Sequence, residues 1–341
     1  MKKYLHLFVA VLLLNSFVSK AQDYTFSQFY EQPLLRNPAL AGLFNGDIRV
    51  SMAYRNQWGA ITVPYRTSSL SVEHKIPVGK HDDILTIGSQ MSMDAAGDIQ
   101  LKRTQFLPVL NFHKSLNADK DTYLSLAFMG GPVNSQFDAS QLKMGDQFVN
   151  GSFSASNGTA QPITNNSYSY WDLSTGLCFS SELENKTKFY IAAGLAHFTR
   201  PTIRSITTTE ANFLSPKLSI SIGSNAPIGQ RGRLISFADY YTQTGNHQFL
   251  GGVLLGMDLT PIDADEPASI YFGSFIRWND AIIPVIKMDF NHLSIGVSYD
   301  VNISRLNVVS NWRGGLELTA SYRGFLKTHN STLDKVRCVR F

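Results

Sequence analysis

From Leu293 to Val301 the chain alternates: Leu293, Ile295, Val297, Tyr299 and Val301 are large and apolar, and Ser294, Gly296, Ser298 and Asp300 between them are small or polar. Successive side chains of a β-strand point to opposite faces, so a strict period of two marks a strand between two different environments. Ile48, Val50, Met52 and Tyr54 alternate with Arg49, Ser51, Ala53 and Arg55 in the same way. So do Leu316, Leu318, Ala320 and Tyr322 with Glu317, Thr319, Ser321 and Arg323, and Leu218, Ile220 and Ile222 with Ser219, Ser221 and Gly223. Such runs predict strands at 47–57, 67–76, 84–94, 100–114, 121–131, 168–180, 187–198, 213–224, 231–242, 246–258, 268–278, 281–289, 293–301 and 313–323, about fourteen in all. Pro108 and Pro284 interrupt two of these runs. Proline donates nothing to a ladder, so each predicts a bulge or a strand end.

The connections alternate too. Segments 77–83, 115–120, 181–186, 225–230, 259–267 and 290–292 are short and mostly rich in turn formers, whereas the intervening ones include 58–66, 132–167, 199–212 and 302–312, most of them longer. Short turns at one end and long loops at the other is the layout of an outer-membrane barrel, with the short turns periplasmic. The fold class expected is therefore all-β: a transmembrane antiparallel β-barrel of the outer-membrane type. An even strand number places both termini in the periplasm. Segment 132–167, rich in Ser, Asn, Gly and Gln, reads either as a mobile surface loop or as a lid over the barrel mouth.

Composition sharpens this picture. Charged residues are 16% of the chain, against about 25% in ordinary soluble domains, while hydrophobic content is an ordinary 43%. Mean hydropathy is −0.09, as expected where lipid-facing and lumen-facing residues average out. Residues 1–21 read as a secretory signal: Lys2 and Lys3, an apolar run from Leu7 to Leu14, and Ser19-Lys20-Ala21 as a cleavage site before Gln22. No later stretch is apolar for long enough to cross a bilayer as a helix. The net charge of +4 comes without a Lys/Arg cluster, so a nucleic-acid partner is not expected. Between signal and first strand, residues 22–46 carry Phe26, Phe29, Tyr30, Leu34, Leu35 and Leu40. That is too apolar for a solvated tail. The segment is expected either as a periplasmic arm or as a plug within or beneath a barrel spanning 47–323, with residues 324–341 as a periplasmic tail.

Specific residues resemble a known family. Phe26-Ser27-Gln28-Phe29-Tyr30, Pro33-Leu34-Leu35 and Asn37-Pro38-Ala39-Leu40-Ala41-Gly42 are similar to the amino-terminal signature of the PorP/SprF family. Tyr54-Arg55-Asn56-Gln57-Trp58, Gly296-Val297-Ser298-Tyr299-Asp300, Gly314-Gly315-Leu316-Glu317 and the closing Arg337-Cys338-Val339-Arg340-Phe341 resemble it as well, although the family often has Pro where Val339 stands. The resemblance runs from about residue 23 to the end. It implies an outer-membrane protein of type IX secretion, with a secreted adhesin or other secretion components as partners and a role in secretion, surface attachment or linkage to periplasmic machinery.

The residues suggest no reaction. The histidines are scattered, without the His-x-x-x-His spacing of a helix-borne zinc site, and no Gly-x-Ser-x-Gly elbow is present. Cys178 and Cys338 are too few for a disulfide framework. No catalytic residue, metal or cofactor is expected. Arg49, Arg55, Glu317 and Arg323 fall on the polar faces of the first and last strands. A lipid-facing Arg costs about 2–4 kcal/mol at the midplane, so they are expected in the lumen, as an ion-pair network or as a polar binding surface. Tyr54, Trp58 and Tyr65 flank the first long loop, and Tyr168, Tyr170 and Trp171 follow the longest. They suit an interfacial girdle. Tyr54, Arg55, Trp58, Tyr168, Tyr170 and Trp171 are alternatively candidates for holding a partner, with loops 132–167 and 199–212 as its contact surface. The leading expectation is a non-enzymatic scaffold of the type IX system, and the alternative is a channel for a small or hydrophobic solute.

Overall fold

A strand with one polar and one apolar face is stable only where each face meets its own solvent, and closure into a ring supplies both while removing the unpaired edges. The computed structural model describes residues 23–59, 63–79, 82–154, 156–160, 165–204, 211–260, 267–305 and 307–326. The expected signal at 1–21 and the tail beyond Leu326, with Cys338, lie outside the described residues. Fourteen strands close an antiparallel barrel in which each pairs with its sequence neighbours and the last pairs with the first. They are β1 (Ile48–Gln57), β2 (Tyr65–Val78), β3 (Asp83–Ala96), β4 (Leu101–Asn117), β5 (Thr122–Gln136), β6 (Ser167–Glu182) and β7 (Lys188–Ala196). Then follow β8 (Lys217–Ile228), β9 (Gly232–Gln243), β10 (Asn246–Asp258), β11 (Ala268–Arg277), β12 (Ala281–Phe290), β13 (Leu293–Asn302) and β14 (Arg313–Gly324).

Burial follows the alternation, with polarity reversed relative to a soluble core. Met52, Leu110, Phe128, Leu255, Ile286 and Ile295 are each more than half exposed, on the outer wall. Ser71, Glu73, Lys75, Asn111, Asp239 and Glu317 are almost wholly buried on the inner one. All fourteen expected strands are present.

Several details differ from expectation, and two are instructive. Pro108 and Pro284 lie inside β4 and β12 without a bulge. Each is paired on one side, to Ser89 and to Ser274, while the ladder on the other side pauses and resumes in the same register. In an antiparallel strand the N–H and C=O of one residue face the same neighbour, so a proline interrupts one ladder and leaves the other intact. The second difference is β8, which begins and ends four residues later than 213–224. Asn225 to Ile228 continue the ladder to β9, leaving a tight turn through Gly229 at φ 62°. Only one neighbour is paired beyond Asn225, and there Pro227 is tolerated.

The loops between β5 and β6 and between β7 and β8 each contain a small hairpin, Phe148–Val149 with Ser152–Phe153 and Thr202–Arg204 with Ala211–Phe213. Both lie at the long-loop end. Residues 23–46 run inside the barrel as short helical turns, Phe29–Glu31, Pro33–Arg36 and Pro38–Leu40. Prolines start the last two, and the Asn37 side chain accepts the Ala39 N–H at 2.9 Å. All three buried apolar clusters of the interior form around this arm.

Candidate functional site

A lumen lined with Ser, Asn, Glu, Lys and Arg must satisfy those groups, with water or with protein. Here the arm satisfies many of the charged ones. Glu317 on β14 accepts the main-chain N–H groups of Ser27 and Gln28 at 2.7 and 2.6 Å. Glu73 on β2 accepts the Gly42 N–H at 2.8 Å. Asn111 on β4 donates to the carbonyls of Ala39 and Ala41 at 3.0 and 2.8 Å, and Lys75 donates to that of Phe44 at 2.7 Å. Arg55 donates to the Thr25 carbonyl. The approach is close: a Cβ at Gly42 would collide with Thr86 and His113, and its φ of +80° also favours glycine. Across the lumen, Gly176 and Gly194 leave room for the Asn37 side chain.

The opposite wall receives side chains. Tyr30 stacks between Phe237 and Phe275 with centroids 5.1 and 5.2 Å away, and Phe29 meets Phe275 edge-on at 5.5 Å. Arg36 lies over the Phe29 ring at 4.9 Å, grips Asp239 with two bonds of 2.6 Å and donates to Tyr190 Oη at 2.8 Å. This bidentate geometry is what a guanidinium needs to be buried.

The arm's far end is held ionically. Asp23 meets His197 Nε2 at 2.7 Å, Arg103 at 3.0 Å and Lys217 at 3.4 Å, and His197 Nδ1 meets Asp172 at 2.8 Å. Burial alone would raise the Asp23 carboxyl, but Lys217, His197 and Arg103 outweigh it and hold it well below its ordinary value. Burial alone would lower His197, yet the Asp23 charge and the bonds to Asp172 and Asp23 push it up to about 9.

These partners sit at the long-loop ends of β4, β6, β7 and β8, opposite the end where β1 starts and β14 stops. The arm therefore begins at the loop end and descends to the base, where the Asp47 N–H bonds Gly324 O at 2.8 Å. Residues 23–46 thus lie within the barrel along its length and not only near its base. A period-two reading places strands but carries no information on the path of a segment without strands. At the turn end a cavity of about 440 Å3 remains beneath the arm, lined in part by Glu31, Arg49, Arg233, Tyr271, Lys287 and Arg323.

The expected lumen charges are brought together only in part. Arg55 and Glu317 face each other in register and meet at 3.9 Å, but the closer partner of Arg55 is Asp300 at 2.7 Å, which also holds Arg277 at 3.0 Å. Arg49 stands opposite Arg323, a like-charge pair, and each turns away, Arg49 to Glu73 at 2.7 Å and Arg323 to Asp289 at 3.3 Å. The candidate aromatics divide between faces. Tyr54 and Trp171 point outward, and Trp58 packs on Tyr65 with centroids 5.0 Å apart. Tyr168 and Tyr170 point into the lumen, stacked on each other, with Tyr170 against the arm's Leu34 cluster. Positions 168 and 170 share a face that 171 does not, so these three do not form one girdle or one docking patch.

Glu73, Lys75, Asn111, Asp239, Asp23 and His197 were not foreseen. Glu73 and Lys75 could have been, since they share the inward parity of Ser69 and Ser71. His113, between Thr86 at 2.9 Å and Ser125 at 2.7 Å, is sealed beneath Gly42 and serves packing. Among the described residues no group of three or more metal-ligating side chains is placed to hold an ion.

A family model described as "Type IX secretion system membrane protein PorP/SprF" matches residues 18–322. No curated protein matches the chain. Similar solved structures include a Pseudomonas aeruginosa FadL homologue, 9% identical over 84% of this chain and 92% of that one, with a TM-score of 0.42. The Pseudomonas putida toluene transporter TodX is 11% identical over 88% and 94%, with a TM-score of 0.43. BamA from Haemophilus ducreyi lacking POTRA domains 1–3 is 7% identical over 82% and 70%, with a TM-score of 0.41. At such values nothing about ligands or partners follows from the likeness.

Proposed function

This chain belongs to the PorP/SprF family of type IX secretion system membrane proteins, and from that premise we propose that it is a non-enzymatic outer-membrane scaffold supporting the secretion or surface anchoring of a partner protein. The observation that carries the reading is the family match over nearly the whole barrel, joined to a lumen whose charges are engaged by the chain's own arm. A scaffold needs a rigid body with presentable loops. The barrel supplies the body, and loops 137–166 and 197–216 supply the surface for a secreted adhesin or another secretion component. Tyr54, Trp58 and Trp171, toward the loop end, flank that surface in this reading. Outer-membrane lipid covers the apolar outer wall, and the short turns with the carboxy-terminal side face the periplasm.

The test is affinity purification from native outer membranes followed by identification of what remains bound. A co-purifying secreted or periplasmic component, and loss of that component's surface display when both loops are shortened, is the expected result. Intact display after shortening both loops removes the loops from the reading. The turn-end cavity of about 440 Å3 favours a second reading, a channel for a small or hydrophobic solute. Purification without any partner, together with steady single-channel conductance, would establish that reading instead.

A further inference from the structure

We propose that the lumen is a peptide-binding site, filled in cis by residues 23–46 and able to take in trans a peptide segment of the same chemistry: two adjacent aromatic residues followed, six positions later, by an arginine. The reading is independent of the secretion role, since it concerns what the barrel interior recognises and not which machine the barrel serves.

The first support is the kind of contact made by the wall formed by β14, β1, β2 and β4. Glu317, Arg55, Glu73, Lys75 and Asn111 reach seven main-chain groups of the arm, at Thr25, Ser27, Gln28, Ala39, Ala41, Gly42 and Phe44. Every peptide carries the same N–H and C=O groups, so this grip is indifferent to sequence apart from steric fit. The bonds from charged groups are the strong kind, and they neutralise buried carboxylates and an ammonium with main-chain dipoles. A vacated lumen would fill with water, and a second peptide would restore the same bonds.

The second support is the opposite wall, which does select. Phe237 and Phe275 hold the Phe29 and Tyr30 rings, with Leu250 and Leu254 in the same buried cluster. Asp239 and Tyr190 form a bidentate seat for a guanidinium. A wall that holds any backbone, facing pockets that accept two rings and one cation, is the division of labour of a peptide-recognition groove.

The third support is separability. Among the described residues, no main-chain hydrogen bond joins the arm to a barrel strand before the Asp47 N–H reaches Gly324 O. Departure of residues 23–46 would break no ladder bond. Their far end, at Asp23, is held only by the side chains of Arg103, His197 and Lys217 at the loop end, so the arm can peel from the loop end while Asp47 stays anchored at the base.

The experiment uses the full chain with a protease site introduced at Asn45-Gly46, folded in detergent micelles and cut only afterwards. A fluorescently labelled synthetic peptide of residues 23–46 is then added and its anisotropy followed. The expected result is that the labelled peptide exchanges into the cut barrel. A peptide carrying Phe29→Ala and Tyr30→Ala should bind roughly tenfold more weakly or worse, and Arg36→Ala similarly, because these groups fill the selecting wall. A Leu35→Ala peptide, altered at a half-buried side chain outside the buried clusters, should bind within about threefold. Failure of the peptide to enter, equal binding of a scrambled peptide, or unfolding of the barrel on cutting would each overturn the proposal. In the uncut chain, hydrogen exchange at Ser27, Gln28 and Gly42 should outpace that at Ser71 in β2. Equal protection would make the arm a permanent part of the core and equally overturn the idea.

Discussion

The two inner walls of this barrel treat the same arm differently. The wall of β14, β1, β2 and β4 holds main-chain atoms with Glu317, Glu73, Lys75 and Asn111, whereas that of β9 to β11 holds rings and a guanidinium with Phe237, Phe275 and Asp239. The contrast teaches that burial of charge in a lumen need not mean ion pairs across the wall. Glu317 faces Arg55 in register at 3.9 Å, yet its close hydrogen bonds, at 2.7 and 2.6 Å, go to two peptide N–H groups. A carboxylate that captures consecutive amides fixes a chain's position, and an aromatic slot opposite fixes which residues stand there.

If that division is real, damage to the selecting wall should cost most. Arg36→Ala leaves Asp239 buried without its cation, and breaking a buried pair from one side costs about 3–5 kcal/mol. Adding Asp239→Asn should return part of the loss, measured by urea unfolding in lipid vesicles through tryptophan fluorescence. A single-variant cost below about 1 kcal/mol would mean that the seat is already wet. Next in size, Glu317→Gln removes the charge from the double amide capture while keeping one acceptor, and about 1–3 kcal/mol is expected by the same assay.

Smaller still is the ionic hold at Asp23. The His197 imidazole is raised from 6.5 to about 9, so its contribution is complete below about pH 6.5 and is lost as pH rises through about 9. The Asp23 carboxyl is depressed below 3.8, so its contribution is present above that value and is lost as pH falls through the lower one. Protease cutting within residues 23–28, followed against pH, should therefore be slowest from about pH 4 to 6.5 and rise toward pH 10. The rise should disappear in His197→Gln. The smallest effect belongs to Tyr30→Phe. Its buried hydroxyl has no hydrogen-bond partner among the described residues, so removing it should leave stability unchanged or raise it by up to about 1 kcal/mol. A clear loss would reveal a partner for that hydroxyl and weaken the view of this slot as one that reads rings alone.

The barrel was legible because lipid and lumen impose opposite demands on neighbouring residues. Ile48 to Arg55 and Leu316 to Arg323 announce both faces, and the inward positions of Arg49, Arg55 and Glu317 follow from parity. Parity also separates Tyr168 and Tyr170 from Trp171, a division that grouping them by proximity to a loop conceals. The prolines are not strand ends because each strand pairs on two ladders and a proline interrupts only one. The arm's route was not legible at all. Its turns lack a period, and its decisive contacts join residues as distant as Ser27 and Glu317, 290 positions apart. Asp23 and His197 carry no local signal; their pairing exists only once four strands and the arm have met.

The direction of the arm has a consequence for how the molecule is made. Its anchor at Asp47 lies beside the β1–β14 seam, and its other end reaches the far rim. An open sheet can curl around such a strut, using Phe29, Tyr30 and Leu34 as a former, before the seam zips shut. A chain lacking the arm should therefore form its strands at a normal rate but close its seam late, leaving a population of unsealed sheets for the cell's quality control to clear.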